Sequence, residues 1–252
     1  MSMLRFSTLT AIAIVATLAP VPTVEREARG DLISNGGFES GFAGWTRLEQ
    51  IGGEGTFFPQ SGTTSPVTGT PVPPPPGGAF AAMTDAEGPG ARVLYQDFVV
   101  PTGSTPYTLT FDLFINNQAI DFFAPDTLDF ATPILNQQAR VDILASTADP
   151  FSVDPADVLL NVFRTEAGDP LVSGYTTYAI DVSSLFLAHA GQTLRLRFAQ
   201  TDNVNLFQFG VDNVSLVSPA AIPEPSAMAL FSLGGVAIAC ALAYGSRPGA
   251  PR

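Results

Sequence analysis

Residues 107–115 read YTLTFDLFI and residues 193–201 read TLRLRFAQT. In the first stretch Leu109, Phe111, Leu113 and Ile115 alternate with Thr108, Thr110, Asp112 and Phe114. In the second, Leu194, Leu196 and Phe198 alternate with Arg195, Arg197 and Ala199. Side chains of an extended chain point alternately to opposite faces, so this period of two predicts strands with one buried and one wet face. The same reading gives strands over 79–84, 92–100, 140–146, 158–164, 175–182 and 207–217, with turn signals between them. Eight or nine such strands predict an all-β, two-sheet antiparallel sandwich.

Working outward, residues 31–45 (DLISNGGFESGFAGW) suggest a short opening strand and a bend, because Asn35-Gly36-Gly37 forms a turn and Trp45 follows a second glycine-rich turn. Residues 52–78 are rich in Gly, Thr, Ser and Pro and end in the run Pro73 to Pro76, which favours polyproline II and cannot donate to a sheet. They read as a surface loop. Residues 183–190 suggest one short helix with Ser183 or Ser184 as its cap.

Composition narrows the function. The chain has no lysine, and between Asp31 and Ile222 it carries 20 acidic residues against six arginines (47, 92, 140, 164, 195 and 197), a formal charge of −14. Scattered arginines in such a field repel nucleic acid, which needs clustered cations to release its counterions. The single cysteine, Cys240, lies in the C-terminal apolar run, so the β domain has no internal disulfide and no thiolate chemistry. His189 is the only histidine, and its place in LFLAHAGQT suits a helix end better than a catalytic triad or a histidine metal centre. No nucleophile-elbow, Walker or dinucleotide pattern is present. With so many carboxylates some pair always suggests a glycosidase, but none is singled out, and no catalytic residue is assigned.

Both ends read as targeting segments. Residues 1–20 carry one arginine, Arg5, before an apolar stretch from Leu9 to Ala19, as in a secretory signal helix; Ala28 and Gly30 suit cleavage after Gly30. The alternative is a retained N-terminal anchor. At the other end Pro223-Glu224-Pro225 precedes residues 227–244, eighteen positions without a charge, then Arg247 and Arg252. That length spans a bilayer as a helix, with the arginines held on the cytoplasmic side.

The order of Pro223, Glu224 and Pro225, apolar helix and terminal arginines resembles the PEP-CTERM sorting tail of exopolysaccharide-forming bacteria. The resemblance covers residues 219–252. It implies recognition by an exosortase-type membrane enzyme and export to the cell envelope, surface or extracellular matrix, with transient membrane anchoring. The arginines here are spread among Ser, Pro, Gly and Ala instead of forming a compact basic cluster.

The segment 31–218 resembles carbohydrate-binding-module-like jelly rolls of the galactose-binding type. The fragments that carry this are Asn35-Gly36-Gly37-Phe38-Glu39 with Gly44-Trp45, Ala190-Gly191-Gln192, and Gly210-Val211-Asp212-Asn213-Val214. The resemblance implies that first and last strands lie together and that a structural calcium is held there, the matching positions being Glu39 and Asp212, with Asn35 a weaker candidate. Calcium needs six to eight oxygens. The plain alternative is that Glu39 caps a turn and Asp212 ends a strand.

Sugar binding on such folds uses exposed rings. Trp45, Phe57, Phe58, Tyr95, Phe114, Phe122, Phe123 and Phe207 are candidate platforms, although most Phe in a sandwich fill the core; Phe122-Phe123, in the polar stretch 116–136, stands out. The expected function is a non-catalytic, exported carbohydrate- or surface-binding protein. The alternatives are a purely structural envelope or matrix protein and a secreted glycan hydrolase.

Overall fold

The computed structural model describes residues 30–103, 106–132 and 134–218. The expected signal segment, the sorting motif Pro223, Glu224 and Pro225, and the apolar stretch 227–244 lie outside the described residues. No helix among the described residues is long and apolar enough to cross a membrane.

Ten strands and one helix follow in the order β1 (Thr46–Glu49), β2 (Thr56–Gln60), β3 (Ala81–Asp85), β4 (Gly90–Val99), β5 (Thr108–Asn117), β6 (Gln137–Ala145), β7 (Val158–Arg164), β8 (Val172–Asp181), α1 (Ser183–Ala188), β9 (Thr193–Asp202) and β10 (Phe207–Val217). They form two five-stranded sheets, β1-β4-β9-β6-β7 and β2-β3-β10-β5-β8. All the pairings are antiparallel. The all-β two-sheet sandwich expected from the alternation is therefore present, and β7 and β10 coincide with their predicted spans.

The alternating positions meet between the sheets. Leu109, Phe111 and Leu113 of β5 face Leu194, Leu196 and Phe198 of β9 within one buried cluster that also takes Trp45 and Phe209. Phe198 is central, edge-on to Phe111 at 5.7 Å and tilted against Trp45 at 6.0 Å. Fully burying each such ring is worth roughly 1.5–3 kcal/mol, and with no disulfide available in the domain this burial is the main source of stability.

Four expectations are corrected. First, residues 31–45 form turns instead of an opening strand, while Thr46–Glu49 and Thr56–Gln60 are strands, the latter inside the stretch read as loop. β2 is an edge strand, where Pro59 is tolerated because one side of the strand needs no donor. Second, the helix is shorter than expected, and neither serine side chain caps it. The Ser183 hydroxyl instead accepts from the Tyr107 amide at 2.9 Å. Third, Phe122 is a core residue packed against Phe207.

Fourth, the face of β9 expected to be wet is covered. Arg195 and Arg197 point outward from the sandwich, yet both are buried because the β6–β7 loop folds over them. Its carbonyls accept from their guanidinium groups: Ala148 from Arg195 at 3.1 Å, and Pro150 and Ser152 from Arg197 at 2.8 and 2.6 Å. Beneath the loop Asp142 receives Arg140 through two bonds, together with Arg197 and Asn161. These partners, arginines above all, outweigh the large desolvation cost of the buried carboxyl and hold it below the usual carboxylate range.

Chain entry and exit lie at one end of the sandwich. The Leu32 amide donates to Leu216 O and the Val214 amide to Gly36 O, and Asp31 accepts from the Leu216 amide. At the opposite end, where β5 stops at Asn117 beside the start of β10 at Phe207, the loops 50–55, 86–89, 118–132 with 134–136, and 203–206 meet.

Candidate functional site

Two places answer to the sequence expectations or to ligand geometry. The first is the corner where the entry segment crosses β10. A strap over residues 61–80 runs across the outer face of the second sheet, its Val72 packed on Met83, Phe114 and Tyr175. Asp85 holds one part of it by accepting the Val67 and Thr68 amides at 2.7 and 2.9 Å. Asp212 and Glu39 hold its end: Asp212 accepts the Gly77 amide at 3.1 Å, and Glu39 accepts the Ala79 and Phe80 amides at 2.8 and 2.9 Å. The fold thus brings both expected calcium residues to one segment. Asn35 is committed elsewhere, donating to Gly41 O and Ala43 O and accepting the Ser40 amide.

Asp112 stands opposite Asp212 in the β5–β10 register. It accepts from the Thr177 hydroxyl at 2.5 Å and from the Asn213 side-chain amide at 2.7 Å. Like charges facing each other across a ladder repel. Asp212 shows the consequence: burial above all, and then the charges of Asp112 and Glu39, push its carboxyl up to about 6, although the Asn213 and Gly77 amides oppose the rise. No arginine forms an ion pair with any of these three carboxylates among the described residues. Nor do the described residues contain a group of three or more His, Cys, Asp and Glu arranged around one metal position. In charge the donor set suits a hard cation; in number it supplies two or three carboxylates, so backbone carbonyls must complete any shell. The Asp112 and Asp212 side chains are sealed under the strap and do not face a cleft.

Of the ring platforms, Trp45, Phe57, Phe114, Phe122 and Phe207 are buried. Phe58, Tyr95 and Phe123 are half-buried, and Tyr95 is covered by the Arg195 guanidinium 4.0 Å from its ring centre. Tyr175, which was not among the expected platforms, lies across Gly210 with a buried hydroxyl that has no hydrogen-bond partner among the described residues. Burial, then the Asp212 and Asp112 charges, push that phenol up. His189 is at the end of α1, where Nδ1 bonds Gln192 Oε1 at 3.0 Å.

The second place is a cleft of about 220 Å³ at the loop end, between residues 86–89 and 202–206. Its base is Asp202. That carboxylate accepts the Gly90 amide at 2.9 Å and pairs with Arg92 at 3.0 Å, yet burial outweighs both and raises its pKa. Arg92 is wholly buried, and its remaining donors go to Gln200 Oε1, Glu54 O and Gly88 O. The cleft walls are fixed by side-chain amides. Asn203 donates to Phe130 O and Ile134 O, Asn205 donates to Gln118 O, and Gln137 joins Asn205 O to Asn117. No sequence reading pointed here, because the cleft is lined by two loops far apart in the chain; the only local signal was the polar run Thr201-Asp-Asn-Val-Asn205 between two strands.

No family model and no curated protein sequence matches the chain. Solved structures with similar backbones include the module TmCBM61 in complex with β-1,4-galactotriose, at 11% identity and TM-score 0.45, covering 75% of this chain and 98% of that one. A Stig cyclase from Fischerella sp. TAU aligns at 20% identity and TM-score 0.45 over 76% of this chain and 98% of its own. The enzymatically active domain of a bacteriophage CBA120 tailspike aligns at 12% identity and TM-score 0.42 over 75% of this chain, which spans 21% of that protein. At such identities these likenesses concern the sandwich alone.

Proposed function

We propose that this chain is an exported, non-catalytic surface or matrix protein whose sandwich holds carbohydrate in the loop-end cleft. The observation that supports this most is placement: the cleft opens at the end of the sandwich opposite to chain entry and exit, so a tail running from Ser218 toward a membrane leaves it facing outward. In this reading the Pro223-Glu224-Pro225 tail delivers the domain through an exosortase-type enzyme and the apolar stretch 227–244 anchors it transiently. The test is binding of the full chain to a glycan array, alongside Val204→Trp, which fills the cleft from a partly exposed lining position. Loss of at least about tenfold in affinity with an unchanged melting temperature is the expected result; a ring that blocks the pocket removes contact area without disturbing the core. Unaltered binding by Val204→Trp would move the site elsewhere.

A structural calcium belongs to the same reading, with Glu39 and Asp212 supplying carboxylate oxygens. The charges of Asp112 and Glu39, which add to burial in lifting Asp212 to about 6, are what a bound cation would offset. Calcium at a hundred times its Kd stabilises a fold by about 2.7 kcal/mol, so chelator should lower the melting temperature. The sign with pH follows from the raised Asp212 value. In the absence of calcium the folded state holds the proton more tightly than the unfolded chain, so stability from this group is greatest below about pH 4 and falls as pH rises to about 6. The calcium effect should therefore be larger at pH 7 than at pH 5, and Asp212→Asn should remove both the calcium effect and the slope between them. A melting midpoint indifferent to chelator at pH 7 would remove calcium from the account.

A further inference from the structure

We propose that the loop-end cleft selects a neutral glycan carrying methyl groups, as O-acetyl or 6-deoxy substituents; this rests on the carbohydrate reading above. The end that carries the cleft displays exposed aliphatic side chains. Six of the ten exposed large hydrophobic side chains among the described residues, Ile51, Ile120, Ile134, Leu135, Val172 and Val204, stand on the loops and strand start of this one end, and of these Val204 lines the cleft. A soluble fold rarely gathers exposed apolar residues at one place without a partner for them. These loops are also held firmly: Gln50 accepts the Phe130 amide at 3.0 Å, Gln118 N donates to Leu206 O at 2.9 Å, and Asn136 N donates to Asn203 Oδ1 at 2.7 Å. The aliphatic tips are therefore displayed on fixed supports.

Flat aromatic rings match the CH face of a pyranose, whereas branched aliphatic tips present knobs and hollows of methyl size. Their complement is a sugar studded with methyl groups, and each methyl removed from water adds roughly fourfold to affinity. Charge excludes the acidic alternative. The cleft lining holds Glu87 and Asp202, and Arg92 behind it has its Nε, Nη1 and Nη2 engaged by Asp202, Gln200 and two carbonyls. The chain contains no lysine. A uronate or sulfate entering the cleft would meet negative charge with no cation to receive it. Asp202, already paired with Arg92 and the Gly90 amide, offers little to a cationic amino sugar either.

The experiment is equilibrium binding of the full chain to immobilised polymers: a neutral O-acetylated polysaccharide, the same polymer after saponification, a uronic acid polymer and a polyglucosamine. The acetylated form should bind at least about tenfold tighter than its saponified counterpart and tighter than both charged polymers. Ile120→Ser and Leu135→Ser, at exposed positions, should abolish that preference and leave the melting temperature unchanged. Equal binding before and after saponification, or preference for either charged polymer, overturns the methyl selectivity while leaving a carbohydrate site in place. Binding to no polymer on this panel or on the wider array overturns both readings together.

Discussion

Asp142→Ala is expected to destabilise the domain by about 3–5 kcal/mol, because it leaves two guanidinium groups buried without their anion. Asp142 is wholly buried on the outer side of β6 and is the ion-pair partner of both Arg140 and Arg197. Arg197 would keep only the carbonyls of Pro150 and Ser152, and Asn161 would lose its side-chain acceptor. For a domain of this size each kcal/mol is worth about 2–4 °C, so the melting temperature should fall by roughly 6–20 °C. The whole network need not be a net source of stability. Replacing Arg140, Asp142 and Arg197 together with apolar residues of similar volume is expected to recover most of the loss, since the cost arises from orphaned charge. The deficit of Asp142→Ala should also narrow in acid. A carboxyl held below its ordinary value stabilises the fold above about pH 4 and loses that contribution as pH falls toward its lowered value. Thermal melts at neutral pH and at pH 3 check both statements, and an undiminished deficit at pH 3 would show that lost packing, not charge, is responsible.

Gly36→Ala is the second large effect. A methyl group on Gly36 would lie on top of the Val214 carbonyl oxygen and 2.7 Å from its carbon. The obstructing atoms are backbone of β10, a strand held on both sides by β3 and β5, so no side-chain rotation relieves the contact. The entry segment must lift away, breaking the Val214 to Gly36 bond of 3.0 Å and loosening Ile33, Phe38 and Trp45 from the core. Overpacking of this kind costs about 3 kcal/mol or more. Gly41→Ala is the matched control. Gly41 has φ +60 with open space around it, so alanine there meets only the left-handed backbone cost of about 1–2 kcal/mol. Equal losses at the two positions, measured by denaturant melts, would mean that the contact with Val214 does not matter.

The fold was legible where alternation was strong. Leu109, Phe111, Leu113 and Ile115, and Leu194, Leu196 and Phe198, point inward as their period dictates. Thr46–Glu49 was missed because four mostly exposed residues leave no apolar pattern, and Thr56–Gln60 because Pro59 and its glycine-rich surroundings read as loop. Period two tells which residues share a face, but not whether a distant loop covers it; hence Arg195 and Arg197 read as wet and are buried. The resemblance named Glu39 and Asp212 together, and the fold sets both against the Gly77–Phe80 backbone. The loop-end cleft was not legible, since Glu87 and Asp202 carry no local signature and meet only when β4 pairs with β9.

Hydrogen–deuterium exchange of the full chain, with and without the tightest-binding neutral glycan from the array, tests the central claim most directly. Slowed exchange confined to residues 86–90, 118–136 and 203–206 is the result expected of a loop-end site. Protection falling instead on the strap at 61–80 and on β8 would place the ligand on the outer face of the second sheet and contradict it.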